Sequence, residues 1–183
     1  TPKPTVAPTE TPKPTETPKA PEKSPLPSYG AYLGNLLNEK TGAKEGMIVI
    51  ASIPRTGQPE QVLAYYVMDN GTYRALLLDP QKIQGNSFEY TNPASRDVSA
   101  RFYTIKASLD NPSNVLTGIA ELRRGQNPVE IRNFKADFVG TGREKVLEAA
   151  KKMKTTQGGG KYGNDWTNVR VDELQRTFHI DLP

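Results

Sequence analysis

Hydrophobic and polar residues alternate along most of the chain, in short runs separated by turn-forming residues. The stretch QVLAYYVMDNGTYRALLLD has apolar runs on both sides of Asn70-Gly71. These two residue types tolerate the positive φ of a two-residue turn, so the stretch predicts a β-hairpin in which Tyr66 pairs with Ala75. Residues 46–53, GMIVIASI, form a further β-branched run of strand length.

Later segments carry the same alternation, at 86–91, 98–109, 115–124 and 129–140. Turn clusters separate them, and no helical pattern interrupts the series. In 98–109 the alternation places Arg101, Tyr103 and Ile105 on one face and Phe102 on the other. Strands in succession with short turns predict an antiparallel meander and not a parallel sheet.

Two other segments have the spacing of amphipathic helices. Residues 29–42 and 143–155 each concentrate apolar side chains on one helical stripe. The stripes are Tyr29, Leu33, Leu36 and Leu37 in the first segment, and Val146, Leu147, Ala150 and Met153 in the second. Thr141 is the predicted cap of the second helix. A glycine-rich loop and two β-like runs, 167–174 and 176–182, complete the chain.

The order of elements predicts a mainly β domain with a minor α+β character. In this prediction, an antiparallel β-meander forms a barrel-like or strongly curled sheet, with an N-terminal helix and one helix before the last strand or strands. A meander of this length has to curl or face a helix to bury its apolar side and protect its edges.

The order of a long meander, a closing helix and a final strand resembles that of the lipocalins. The resemblance is one of order: the Gly-x-Trp signature near the first strand of that family is missing, and the only Trp is Trp166. It implies a carrier with a cavity for a small apolar ligand. In that case the predicted cavity walls are Leu76, Leu78, Phe102, Phe134 and Phe138.

The first 27 residues differ in composition from the rest of the chain. They hold nine of the 16 prolines and six threonines, and TPKPT occurs twice. Proline removes backbone hydrogen-bond donors, and the segment has few aliphatic residues to bury. This composition predicts a disordered stalk or linker at 1–27, followed by a single globular domain at 28–183. The segment resembles the Pro/Thr-rich linkers that follow the signal peptide or lipid-anchored Cys of bacterial surface proteins.

Composition narrows the chemistry of the protein. There is no cysteine and one histidine, His179, so thiol chemistry is excluded and we expect neither a metal site nor a cofactor. The net charge of +4 is too small to predict a nucleic-acid partner. No apolar run is long enough to span a membrane, so any membrane attachment is expected through an anchor outside this chain.

A candidate binding lip lies near the C-terminus, in GGGKYGNDW. It combines glycine-rich backbone with Lys161, Tyr162 and Trp166, and aromatic residues on loops often contact ligands. The alternative is that Trp166 packs over one end of the sheet. The Gly-Lys pattern does not match a phosphate-binding loop, since Tyr162 follows the lysine.

Three functions remain open from the sequence. The first is an extracytoplasmic, surface-tethered binding domain without catalytic activity, with cell-wall polymer or glycan as candidate partners. The second is the lipocalin-like carrier of a small apolar ligand. The third is a glycan-active enzyme that uses a pair of carboxylates, with Glu60, Glu89, Glu121, Glu130 and Asp137 as candidates on or beside strands.

Overall fold

The protein forms a closed eight-stranded antiparallel β-barrel with a helix against its outer surface. A computed structural model of the 183-residue chain describes residues 23–69, 73–92, 101–124 and 128–153, with the backbone alone at 73–75, 101–102 and 124. The strands are β1 Gly30–Asn38, β2 Lys44–Ile53, β3 Gln61–Met68, β4 Tyr73–Gln84, β5 Ser87–Thr91, β6 Arg101–Asp110, β7 Val115–Arg124 and β8 Glu130–Thr141. The helix α1 is Arg143–Lys152.

Each strand pairs with the next along the chain, and β8 pairs with β1 to close the barrel. The predicted mainly β antiparallel meander and the helix that follows it are therefore confirmed. Closure leaves no free sheet edge. A free edge is the main hazard of a long meander, because its unpaired backbone groups can pair with another chain.

The prediction of an N-terminal helix over 29–42 is wrong, because residues 30–38 form the strand β1. Both of its edges are hydrogen-bonded, to β2 and to β8. Tyr32 and Leu36 point into the barrel, whereas Ala31 is buried on the outer face against α1. A strand buried on both faces shows no apolar–polar alternation, so its leucines imitate a helical stripe.

The predicted pairing of β3 with β4 is wrong by one residue. Tyr66 pairs with Arg74 and Ala64 with Leu76, where a two-residue turn would have paired Tyr66 with Ala75. The turn itself, at 70–72, lies outside the described residues. A hairpin register is set by the loop length, so one more residue in the connection shifts each partner by one position.

Close approach between strands explains two glycines in the barrel wall. A Cβ on Gly34 would collide with the backbone of β8, at the Lys135 carbonyl oxygen and 2.7 Å from the Ala136 Cα. A Cβ on Gly118 would collide with β6 in the same way. Gly118 introduces no bulge, since β7 pairs without a register shift with both of its neighbours.

Helix α1 covers the outer surface of the barrel at β1, β2 and β8. Its apolar stripe is confirmed: Val146, Leu147, Ala150 and Met153 are buried in a cluster with Ala31, Val49 and Leu63 of the sheet. The N-cap residue of α1 is Gly142, and no side chain caps the first turn of the helix. The prediction of Thr141 as the cap is therefore wrong. Among the residues described, no helix is long and apolar enough to cross a membrane.

Candidate functional site

The two ends of the barrel interior are packed differently. We call the end where β1 and β3 begin and β8 ends the closed end, and the opposite end the open end. Aromatic rings fill the interior toward the closed end: Tyr32 packs on Phe138 with ring centroids 5.3 Å apart, and Phe88 on Tyr90 at 5.4 Å. Tilted and edge-on arrangements of this kind suit the quadrupole of aromatic rings.

The chain segment before β1 also contributes to the closed end. Leu26 is 2% exposed and belongs to the interior cluster. The chain reverses at Ser28-Tyr29, where the Gly30 amide donates to the Pro27 carbonyl at 2.6 Å. The Leu26 amide donates to the buried Ser24 hydroxyl at 3.2 Å. Residues 24–27, placed by composition in the linker, therefore include part of the barrel core.

A cavity of about 240 Å³ occupies the interior toward the open end. Two of its inward-facing lining residues, Ala64 and Ala120, have short side chains that leave this space unfilled. Its apolar lining comes from seven strands around the barrel, β5 excepted, and consists of Leu36, Ile48, Ala64, Met68, Leu76, Leu78, Ile105, Ala120, Leu122 and parts of Tyr66, Tyr103 and Arg132.

Two tyrosines supply polar atoms within this apolar lining. The Tyr66 hydroxyl donates to the Tyr103 hydroxyl at 3.0 Å, and their rings lie 6.0 Å apart. A phenol that accepts a hydrogen bond keeps its own O–H as a donor. The pair can therefore orient a ligand that carries an oxygen.

Arg132 forms the polar rim of the cavity at the open end. Its Nε donates to Glu45 at 3.0 Å and its Nη1 donates to Glu130 at 3.2 Å. Asn38 donates to the other oxygen of Glu45 at 2.7 Å, which ties the turn between β1 and β2 to β8. These groups are partly exposed, so they contribute little to stability and mainly shape the entrance.

At the closed end, burial raises the pKa of Tyr32 to about 12. Its hydroxyl donates to Asn114 at 3.2 Å. Burial also raises the pKa of Tyr90, with a smaller contribution from the charge of Glu60. These groups lie in the packed interior cluster and do not line the cavity, so they belong to the core and not to the candidate site.

The predicted cavity walls fall into three groups. Leu76 and Leu78 line the cavity. Phe134 is buried in the interior cluster, and Phe138 packs on Tyr32 at the closed end, so both lie beside the cavity lining and not in it. Phe102 occupies a register position on the face of β6 opposite to Tyr103.

The predicted binding lip of Lys161, Tyr162 and Trp166 lies outside the described residues, as do His179 and the two final β-like runs. Among the candidate carboxylates, Glu121 and Glu130 border the cavity, and each is paired with a cation: Glu121 with Lys106 at 2.9 Å and Glu130 with Arg132. In the described part of the chain, no cluster of three or more acidic or histidine residues is arranged to hold a metal.

Sequence reasoning missed Tyr66, Tyr103 and Arg132 as site residues. The alternation in 98–109 separated the two faces of β6 correctly, but nothing in it showed which face points inward. That choice depends on the register with β5 and β7, which places Tyr103 opposite Leu122.

No protein-family model, curated protein or solved structure matches this chain. The function has to be argued from the geometry of the barrel and its cavity.

Proposed function

We propose that the barrel binds a small, largely apolar molecule in its open-end cavity and acts as a carrier or binding protein. The observation that carries this proposal is the cavity of about 240 Å³, lined mainly by aliphatic side chains, in a barrel whose other end is filled. A fold needs no such void, because an empty apolar cavity costs stability that larger side chains at Ala64 or Ala120 would recover.

The volume also limits the ligand. Pockets for drug-sized molecules measure about 300–1,000 Å³. The cavity here, about 240 Å³, suits a smaller molecule or one end of a longer one. A neutral probe such as 1-octanol has a suitable shape and, with nine heavy atoms, is expected to bind with a Kd of about 0.1–1 mM.

The test is an NMR titration with 1-octanol, followed through methyl resonances. We expect the methyl groups of Leu76, Leu78 and Ile105 to shift, since they line the cavity. Those of Leu63 and Val146, which pack on the outer face of the barrel, serve as internal controls and are expected to stay in place.

A matched pair of variants on β7 sharpens the test. Ala120→Leu extends a side chain into the cavity and should weaken octanol binding at least about tenfold, whereas Thr117→Leu adds a similar side chain at an exposed position and should not. Equal shifts of inner and outer methyl groups, or equal affinity of the two variants, would contradict a ligand site in the cavity.

The sequence of residues 1–23 supports a second element of the proposal, which is that the barrel is displayed on a stalk outside the cytoplasm. Thr/Pro-rich composition is typical of spacers, and an extended chain of this length spans on the order of 70 Å. Native mass spectrometry of protein from its own source tests both elements. Added mass that survives denaturation supports a lipid or glycan attachment, whereas added mass lost on denaturation supports a bound small molecule.

A further inference from the structure

The tyrosine pair places a hydrogen-bond donor within the apolar lining of the cavity. Tyr66 of β3 donates to the Tyr103 hydroxyl of β6 at 3.0 Å, and both residues line the cavity. Tyr103 is 7% exposed, and its partner on β7, Leu122, lines the cavity as well. A hydrogen bond between two phenols uses one O–H, so the Tyr103 O–H can donate to a group inside the cavity.

The charged side chains of the described lining are already paired with one another or with neighbours. Arg132 at the rim binds Glu45 at 3.0 Å and Glu130 at 3.2 Å. Glu121 binds Lys106 at 2.9 Å. A charged group of a ligand would therefore meet no unpaired opposite charge in this part of the lining, and burial of an unpaired charge is costly.

We propose, on the basis of the proposed function, that the ligand is a neutral molecule with an oxygen acceptor, such as a ketone, an ester or an alcohol, and that Tyr103 donates a hydrogen bond to this oxygen. The apolar body of the ligand occupies the space among the aliphatic side chains. Tyr66 strengthens Tyr103 as a donor, because a hydroxyl that accepts a hydrogen bond is polarised by it.

Four probes with the same number of non-hydrogen atoms test the chemical class. Each has a small substituent on a phenyl ring: acetophenone carries a carbonyl, cumene has a methyl group in place of the carbonyl oxygen, 1-phenylethylammonium is a cation and benzoate is an anion. Affinities for the full chain are measured from the methyl shifts of Leu76, Leu78 and Ile105, which line the cavity. We expect each ion to bind at least about tenfold more weakly than acetophenone.

Two tyrosine-to-phenylalanine variants provide the test of Tyr103 and its control. Tyr103→Phe removes the donor in the cavity, whereas Tyr90→Phe removes a hydroxyl from the interior cluster at a residue that does not line the cavity. Tyr103→Phe should weaken acetophenone binding at least about fivefold, because the carbonyl oxygen is then buried without a partner. Tyr90→Phe should leave this affinity unchanged. Cumene should bind both variants within about twofold of the natural sequence, since the shape of the cavity is kept.

A spectroscopic readout separates a hydrogen bond from a structural effect of the substitution. Acetophenone labelled with carbon-13 at the carbonyl gives a resonance that moves downfield when its oxygen accepts a hydrogen bond. In the natural sequence we expect the bound resonance to lie close to its position in an alcohol. In Tyr103→Phe it should move toward its position in hexane, whereas a change in packing alone would leave the carbonyl hydrogen-bonded.

The outcomes distinguish this inference from the proposed function. If cumene binds in the cavity but acetophenone is insensitive to Tyr103→Phe, the role of Tyr103 is refuted and the apolar site stands. If benzoate or 1-phenylethylammonium binds more tightly than acetophenone, the neutral ligand class is refuted. If none of the probes shifts the cavity methyl groups, the carrier function fails and the assignment of Tyr103 falls with it.

Discussion

Leu26 provides a direct test of where the folded unit begins. It is 2% exposed in the barrel interior, four residues before β1. Replacing a buried leucine with alanine generally lowers the free energy of unfolding by about 2–5 kcal/mol. We expect the lower part of this range for Leu26→Ala, about 2–3 kcal/mol, since Leu26 lies in a short segment outside the strands that can shift to fill part of the space. That is a large fraction of the 5–15 kcal/mol typical of a domain.

The assay is urea denaturation followed by far-UV circular dichroism. Val6→Ala is the matched control, because Val6 and Leu26 are the only sizeable aliphatic residues in the first 27 positions. Truncation supplies a second comparison: a chain that starts at Lys23 should keep full stability, whereas a chain that starts at Ser28 should lose at least as much as Leu26→Ala. The Ser28 form also loses the bond between the Leu26 amide and the Ser24 hydroxyl.

The reasoning would be refuted if Leu26→Ala lowered the free energy of unfolding by less than about 0.5 kcal/mol, the range of ordinary surface substitutions. Equal losses in the Lys23 and Ser28 truncations would show that the core begins earlier than the structure places it. A loss confined to the Ser28 truncation, with Leu26→Ala silent, would assign the stabilisation to the backbone turn and not to the side chain.

Two further predictions concern the barrel itself. Tyr32 has a pKa raised by burial to about 12 against an ordinary 10.0, so the unfolded chain loses this proton first and stability should fall by about 1.4 kcal/mol per pH unit between pH 10 and 12. Tyr32→Phe should flatten that part of the profile relative to the natural sequence, and identical slopes in denaturation series at these pH values would contradict it. Gly34→Ala should destabilise by more than about 2 kcal/mol, or prevent closure between β1 and β8, since its Cβ would meet backbone that has no room to move. Retention of the natural melting temperature by Gly34→Ala would show that the two strands can separate locally without cost.

Several features of the fold could be predicted from the sequence because they depend on local patterns. Strands β2, β6, β7 and β8 and the start of α1 follow from alternation, turn residues and one amphipathic stripe. The separation of Tyr103 from Phe102 on β6 follows from the two-residue period of a strand. The mainly β class with a helix after the meander also follows, since it needs only the order of these elements.

The tertiary structure decided the features of the fold and the site that depend on residues far apart in the sequence. β1 is a strand because β2 and β8 hydrogen-bond to both of its edges, and α1 buries its outer face, which removes the alternation that would have identified it. The barrel register decides which face of each strand points inward, and so brings Tyr66, Tyr103 and Arg132 to one cavity. A local pattern determines which residues of one strand share a face. A cavity needs inward-facing residues from several strands, and only closure of the barrel brings these residues together.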